Sequence, residues 1–402
     1  MPQEKNIPGK TTPLLGARHQ PSGLNNRFNE SQLSFADYIA HSREILNTAH
    51  ARLGAANLEK IVDGNAPFEL KPTNHDAAGQ HKTYRRGVLL THGLTDSPYF
   101  MRHLAEIFQQ DGFRVMAVLL PGHGTQPGDL LDVTWQEWLK AVAYGTDKLA
   151  EEVDEVYLAG FSAGGALSVY QSLCDNRVRG LFLFSPALKI TPRAALATLH
   201  KLYSWLIPSA KWVNIGPDKS RYKYESFPKN AAAQMHALTK KLQALLRERE
   251  IGIPVFIAAS QDDITASPQA ALEFMAYARH PSSRLVLYTT DTKQRLPGIP
   301  AEKLELVHSV FPGQNILSSA HTAIVLPPGD PYFGAGGDYC NCIHYYPGDM
   351  EKYRACNGNT EEIFLGEITD ANLETGLLRR LMYNPNFAAL KDSMKRFMGG
   401  LP

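Results

Sequence analysis

From residue 87 onward, short apolar runs alternate with amphipathic stretches along the chain. Short runs rich in Val, Leu, Ile and Phe are typical of strands that are buried on both faces of a sheet. The predicted strands are Gly87–Thr91, Phe113–Leu119, Val156–Ala159, Val178–Phe184, Ile253–Ala258 and Arg284–Tyr288. Between them, apolar residues recur at helical spacing, as at Met101, Leu104, Ala105 and Phe108. Strands separated by helices predict an α/β fold with a mostly parallel, doubly wound sheet.

One long interval interrupts this alternation, because residues 186–252 carry helical patterns but no strand pattern. An interval of this length exceeds an ordinary connection and predicts an inserted helical cap above the sheet. Its aromatic residues, such as Tyr203, Trp205 and Trp212, form either the cap's own core or the lining of an apolar substrate pocket. The predicted regions are an N-terminal extension (1–85, an arm plus a helix), a core (86–185 and 253–330), the cap (186–252) and a C-terminal extension packed on the core (331–402).

Composition and charge exclude several classes of protein. The 402 residues include 41 Lys+Arg and 40 Asp+Glu, a net charge of +1, so no strong field favours nucleic acid or acidic membranes. The apolar runs are far shorter than the about 20 residues of a membrane-spanning helix, and we expect no membrane span. The N-terminal residues lack the apolar stretch of a signal peptide, so the cytoplasm is the default expectation for location. The oligomeric state is left open.

The four cysteines are unevenly distributed, with Cys174 alone and Cys340, Cys342 and Cys356 close to His344. Three thiolates and an imidazole could bind zinc, and two of the thiols could form a loop disulfide. The Cys-x-Cys-x-His spacing lacks the two-to-four-residue gap usual between zinc ligands. Disulfide frameworks use more cysteines in shorter chains. The favoured interpretation is therefore unbonded thiols and no metal.

The motif that indicates catalysis is GFSAG at residues 160–164, between a predicted strand and a predicted helix. A serine on a sharp strand-to-helix turn has a strained backbone, and its neighbours two positions away must be small. The turn exposes the hydroxyl of Ser162 and directs the Ala163 N–H toward a developing oxyanion. Ser162 is therefore the predicted nucleophile.

A second motif, HGLTDSP at residues 92–98, follows the first predicted strand of the alternating region. The turn at His92-Gly93 lets the Leu94 N–H point into the site as a second oxyanion donor beside Ala163. His92 itself is interpreted as a structural, hydrogen-bonding histidine, because a catalytic base must come from elsewhere in the chain.

Three stretches together resemble the α/β-hydrolase superfamily, in its branch of monoglyceride lipases, bacterial carboxylesterases and serine-aminopeptidase-like hydrolases. They are HGLTDSP at 92–98, LPGHGTQPGDL at 120–130 followed by TWQEWLKAV, and LAGFSAGGAL at 158–167. The resemblance covers residues 85 to 290, and more loosely extends to 325. It implies a serine hydrolase without a cofactor, with its triad in the chain order Ser, Asp, His. His123, within the second stretch, is structural by the same resemblance.

The same resemblance implies where the acid and the base lie. The acid should follow the strand Ile253–Ala258, and a proline about five residues after it in the family pattern favours Asp263 over Asp262. The sequence SSAH ending at His321 is similar to the family's catalytic loop, with His308 as the rival. His308 falls within an alternating, strand-like segment. The link from the last predicted strand to His321 is longer than is usual in the family.

These residues predict a carboxylic-ester hydrolase that acts on a small-molecule ester or lipid with an apolar acyl group, through an acyl-enzyme. Carboxylesterase, monoacylglycerol lipase and lysophospholipase activities all fit this prediction. An amidase or aminopeptidase on the same triad is the alternative, although the cap is rich in lysine and poor in the carboxylates that would bind a substrate amine. A non-catalytic, hydrolase-like binding protein is the third possibility.

Overall fold

A computed structural model of the chain describes residues 15–73, 82–189, 208–358 and 362–401. Its main sheet has eight strands in the order β1-β3-β2-β4-β5-β8-β9-β10, parallel except for β1. The strands of this sheet are β1 (Phe68–Leu70), β2 (Tyr84–Thr91), β3 (Arg114–Val118), β4 (Val153–Phe161), β5 (Val178–Phe184), β8 (Val255–Ser260), β9 (Arg284–Thr289) and β10 (Leu304–His308). The smaller strands are β6 (Trp212–Asn214), β7 (Phe227–Pro228), β11 (Ile363–Gly366) and β12 (Leu377–Arg380). The six predicted strands are confirmed, with ends shifted by a few residues.

Helices cover both faces of the sheet, as a doubly wound architecture requires. The α-helices are α1 (Phe35–Arg52), α2 (Leu58–Asn65), α3 (Arg102–Gln110), α4 (Trp135–Glu152), α5 (Ala163–Cys174), α6 (Lys229–Glu248), α7 (Pro268–Met275), α8 (Met350–Asn357), α9 (Asp370–Thr375) and α10 (Phe387–Gly399). One core cluster holds Leu89 with residues of α1 and α4 to α7, and the other holds Val88 and Leu90 with residues of α3 and α10. Successive strand residues thus enter opposite cores, which explains the continuous apolar runs.

The N-terminal and C-terminal regions are tied closely to this sheet. Strand β1 lies within the segment assigned to the N-terminal extension, yet it pairs with β3 at the edge of the main sheet. At the other end of the chain, the Phe397 ring of α10 contacts Phe182 and Phe256 of the sheet. Full burial of a side chain of this size contributes about 1.5–3 kcal/mol to folding, so α10 stabilises the sheet from the face opposite α5.

The region between β5 and β8 is less purely helical than the sequence indicates. Strands β6 and β7 form a short antiparallel pair, so the expectation that this interval has no strand is wrong. Trp212 is buried in that pair. Tyr203 and Trp205 lie outside the described residues. In the part of the chain that the structure covers, no helix has the length and apolar character needed to cross a membrane.

The prediction that the clustered cysteines are unbonded is wrong for two of them. Cys342 and Cys356 form a disulfide, whereas Cys340 and Cys174 are free. Cys356 lies on α8, which packs beside β12, so tertiary packing brings together two cysteines that sequence spacing gave no reason to pair. Disulfides persist mainly in oxidising compartments, so this pair does not support the cytoplasmic location, which stays a prediction.

Candidate active site

Ser162 stands at the sharp turn between β4 and α5, with a strained backbone at φ 52° and ψ −112°. The turn requires small neighbours because the chain folds tightly on itself. A Cβ atom at Gly160 would lie 2.2 Å from the Gly164 carbonyl oxygen, and one at Gly164 would lie 2.1 Å from that of Thr91. The GFSAG pattern is thus explained by backbone contact, and the turn raises the serine above the carboxyl edge of the sheet.

His321 joins Ser162 to Asp263 by two short contacts. Its Nε2 atom lies 2.9 Å from the Ser162 Oγ atom, and its Nδ1 atom lies 2.6 Å from Asp263 Oδ2. An ionised carboxylate only accepts hydrogen bonds, so Nδ1 carries the proton and Nε2 is free to accept the serine proton. As whole residues, Ser162, Asp263 and His321 are 8%, 6% and 4% exposed. The geometry therefore suits proton transfer from the serine hydroxyl to the imidazole.

Asp263 is oriented by its own loop after β8. Its Oδ1 atom accepts hydrogen bonds from the N–H groups of Thr265 and Ala266 at 2.8 and 2.9 Å, which leaves Oδ2 for His321. The neighbouring Asp262 does not share this arrangement, and its Oδ2 atom is buried without a partner among the described residues. The rival histidine, His308, ends strand β10 and is exposed. Of the alternatives that the sequence left open, the structure brings Asp263 and His321 to Ser162.

Burial raises the pKa of Asp262 to about 6, and the negative charge of Glu367 adds to this effect. The folded state therefore favours the protonated carboxyl, and this stabilisation is full below pH 4 and is lost as the pH rises through 6. We expect Asp262→Asn to increase the free energy of unfolding relative to wild type at pH 7.5, with the gain disappearing toward pH 4. Urea denaturation of both proteins at the two pH values measures this difference. A gain of equal size at both values would contradict it.

The two predicted oxyanion donors lie beside the serine. Leu94 follows β2, Ala163 begins α5, and both line the same cavity as Ser162 and His321. His92 has the structural role that the sequence indicates, because its Nδ1 bonds the Gly93 carbonyl and its Nε2 accepts the Leu120 N–H. Burial lowers the pKa of His123 to about 4, and its Nδ1 bonds the Pro121 carbonyl. His92 and His123 thus each form hydrogen bonds with backbone groups of the turns.

The cavity next to Ser162 has a volume of about 380 Å³ and is lined by two chemically different sets of residues. The apolar lining includes Leu94, Ala187, Phe227, Ala232 and Met235. The polar lining includes Asp96, Asn214, Lys223, Glu225, Thr265 and Arg380. Such a cavity offers contacts to both apolar and polar groups of a ligand near Ser162.

Asp96 and Lys223 are site residues that the sequence did not reveal. Their side chains are almost fully buried, the Lys223 Nζ atom lies 3.9 Å from Asp96 Oδ1, and that oxygen has no hydrogen-bond partner among the described residues. Burial raises the pKa of Asp96 and lowers the pKa of Lys223, and each charge partly offsets the effect on the other. Lys223 lies more than 100 residues from Asp96 along the chain, so only the fold places the two side chains together.

Across residues 15–73, 82–189, 208–358 and 362–401, no three His, Cys, Asp or Glu side chains are grouped so that they could hold a metal ion.

Known protein families and proteins are similar to this chain over part of its length. The model of the family described as serine aminopeptidase, S33, matches residues 82–290, more than half of the chain. The thermostable monoacylglycerol lipase of Bacillus sp. (strain H-257) is 30% identical over 182 residues, which cover 45% of this chain and 72% of that protein. The carboxylesterase of Bacillus subtilis (strain 168) is 31% identical over 85 residues, covering 21% and 35%.

Solved structures are similar to this chain over slightly more than half of its length. A metagenome-derived lipolytic enzyme is similar with a TM-score of 0.46 and 25% identity, covering 56% of this chain and 87% of that chain. The monoacylglycerol lipase of Paleococcus ferrophilus is similar with a TM-score of 0.42 and 19% identity, covering 55% and 87%.

Proposed function

Because the chain belongs to the serine aminopeptidase (S33) family of the α/β-hydrolase superfamily, we propose that it is a serine hydrolase that cleaves carboxylic esters with apolar acyl groups. Carboxylesterase, monoacylglycerol lipase and lysophospholipase activities fall within this proposal. The observation that carries it is the pair of contacts from His321 to Ser162 and Asp263, beside a cavity whose lining is partly apolar.

In the proposed mechanism, His321 takes the proton of Ser162 as the serine oxygen attacks the ester carbonyl. Asp263 holds the imidazole in the required tautomer and stabilises the imidazolium that forms. The N–H groups of Leu94 and Ala163 bind the oxyanion, and loss of one such donor typically costs about 10²–10³ in rate. His321 then gives the proton to the leaving alcohol. In the second half of the reaction His321 takes a proton from water as the water oxygen attacks the acyl-enzyme, and returns that proton to the Ser162 oxygen as the acid leaves.

We expect the apolar and the polar lining residues to contact different parts of the substrate. An apolar acyl chain would lie against Phe227 and Met235, where burial of each CH₂ group contributes about 0.8 kcal/mol. The leaving alcohol would then face Asp96 and Lys223, a buried acceptor and a donor 3.9 Å apart that one hydroxyl group could bridge. The relative from Bacillus sp. (strain H-257) is a monoacylglycerol lipase. A monoacylglycerol has both an apolar acyl chain and a polar alcohol.

Three substrates that share a decanoyl group test the proposal: ethyl decanoate, monodecanoylglycerol and decanamide. We expect wild-type protein to hydrolyse both esters, with the larger kcat/KM for the glycerol ester. Only that leaving group carries free hydroxyls that the polar residues lining the cavity could bind. At the same enzyme concentration the amide should release no detectable ammonia. Amide hydrolysis at a rate similar to that of the esters would favour the amidase alternative, and no reaction with any of the three would favour a binding protein.

The structure offers little to an aminopeptidase. A substrate ammonium group needs a free carboxylate near the nucleophile, but Glu225 already accepts hydrogen bonds from the Tyr339 hydroxyl and the Lys219 N–H at 2.6 and 2.9 Å. The other carboxylate among the cavity-lining residues, Asp96, lies next to the cation of Lys223, which would repel the ammonium group. Ester hydrolysis remains the better fit to this charge distribution.

A further inference from the structure

The histidine of the proposed triad reaches Ser162 at the end of a long connection. Strand β9 ends at Thr289, and His321 follows β10 and a further loop. It lies outside residues 82–290, the region that the family model matches, whereas Ser162 and Asp263 lie inside it. A loop of this length has many conformations, so other parts of the chain must fix the imidazole.

The C-terminal region supplies that support through the parallel pair β11 and β12. The backbone of Leu365 in β11 accepts a hydrogen bond from the Leu317 N–H and donates one to the Asn315 carbonyl, both at 2.8 Å. The N–H of Glu367, just after β11, donates to the Ser318 Oγ atom at 3.0 Å. Strand β11 thus runs along the segment that leads into His321.

Glu367 also contacts the histidine residue itself. Its fully buried carboxylate accepts the backbone N–H of His321 at 3.0 Å through Oε2. The same carboxylate forms an ion pair with Arg380, the last residue of β12, with the Arg380 Nη2 atom 2.8 Å from Oε2 and the Nε atom 2.8 Å from Oε1. Only the Nη2 contact is a hydrogen bond, whereas the Nε contact is ionic without hydrogen-bond geometry. A charge-assisted hydrogen bond of this kind restricts the orientation of the carboxylate.

Arg380 continues this connection to the loop that carries the acid. Its Nη2 atom donates to the Thr265 hydroxyl at 2.7 Å. The Thr265 N–H in turn donates to Asp263 Oδ1 at 2.8 Å. The side chains of Glu367 and Arg380 therefore form a bridge between the loop of His321 and the loop of Asp263.

We propose that Glu367 and Arg380 are positioning residues for the triad, supplied by the C-terminal region, and that their ion pair holds the imidazole of His321 in line with both Ser162 and Asp263. The inference rests on the proposed function, because it assigns a role within the same triad. Neither residue contacts the serine, and the bridge ends at the two loops whose relative position the proton transfer needs. A catalytic group displaced by about 1 Å can lose about 10² in rate.

Four variants test the bridge: Glu367→Gln, Arg380→Met, Arg380→Lys and the double variant Glu367→Gln/Arg380→Met. Glu374→Gln, an exposed substitution of the same kind on α9 between Glu367 and Arg380, is the matched control. Ester hydrolysis is measured per active site, counted by titration with a fluorophosphonate, so that misfolded protein does not enter kcat. We expect kcat to fall about 10- to 100-fold in the four bridge variants, and KM to stay nearly unchanged in Glu367→Gln, because Glu367 is not among the cavity-lining residues. The control should match wild type.

The pH profile separates positioning from general support of the fold. The charged groups around His321 are Asp263, Asp96, Lys223, Glu367 and Arg380. Glu367→Gln leaves the Arg380 cation unneutralised, which disfavours the imidazolium and moves the acid limb of the kcat/KM profile to lower pH. Arg380→Met leaves the Glu367 anion and moves that limb to higher pH. In the double variant the limb should return close to its wild-type position while kcat stays low.

Arg380→Lys is the conservative variant of this set. It keeps the charge but not the planar fork, so the acid limb should stay near that of wild type while kcat remains reduced. Wild-type kcat per labelled site in all four variants, or acid limbs that do not move in opposite directions, would overturn the inference. A wild-type protein in which the fluorophosphonate does not label Ser162 would instead overturn the proposed function.

Discussion

Ser162→Ala is expected to lower kcat for ester hydrolysis by at least about 10⁴-fold, because the oxygen that would form the acyl-enzyme is absent. The side chain is small and lies at the edge of a cavity, so the fold should tolerate its loss. Initial rates with the decanoyl glycerol ester, measured over a wide range of enzyme concentration, give the ratio of the two kcat values.

Ser172→Ala is a suitable control for this substitution, because Ser172 lies on the same helix α5 and, within the described residues, its hydroxyl bonds the Val169 carbonyl. That variant should keep the activity of wild type and react with a fluorophosphonate, whereas Ser162→Ala should show neither property. Equal hydrolysis by Ser162→Ala and wild type would remove Ser162 from the mechanism.

Asp263→Asn is expected to lower kcat by about 10⁴-fold, because an asparagine next to His321 Nδ1 no longer selects the tautomer that accepts the serine proton. Asp262→Asn, the same substitution one residue earlier, should change kcat by only a few-fold, since its carboxyl does not contact the histidine. Steady-state hydrolysis by the two variants under identical conditions checks the contrast.

The two adjacent aspartates control for each other, because they share the loop after β8 and the chemistry of the substitution. A larger loss in Asp262→Asn than in Asp263→Asn would reverse the assignment of the acid. Similar losses in both would indicate that the loop as a whole, rather than one carboxylate, supports the histidine.

Much of the fold and the central residues of the site could be predicted from the sequence, because their causes are local. Strands such as Val178–Phe184 are marked by apolar runs that enter two cores. Ser162 is marked by glycines that the backbone contacts require. The sequence alone could not choose between Asp262 and Asp263, because the two side chains are chemically identical and differ only in where the loop directs them. The choice between His308 and His321 likewise depends on which side chain the fold brings to Ser162.

Other features could not be predicted, because their partners are distant along the chain. The pair Asp96–Lys223 and the bridge Glu367–Arg380 exist only through tertiary packing, and no local pattern distinguishes these charges from solvated ones. The disulfide Cys342–Cys356 was missed for the same reason, since helix α8 returns to the loop of Cys342 only in the folded chain. Strand β1 is three residues long and gives too short a pattern to identify.

The position of His321 beyond residue 290 has a consequence for protein engineering. A chimera built by exchanging residues 82–290 would carry the proposed nucleophile and acid but would take its base from the recipient chain. If the proposed mechanism holds, a graft from this protein has to include the sequence through α10, since His321, the ion pair Glu367–Arg380 and the helix beneath the sheet all lie in that part. Substitutions collected after residue 290 in directed evolution should accordingly be screened for turnover as well as for solubility.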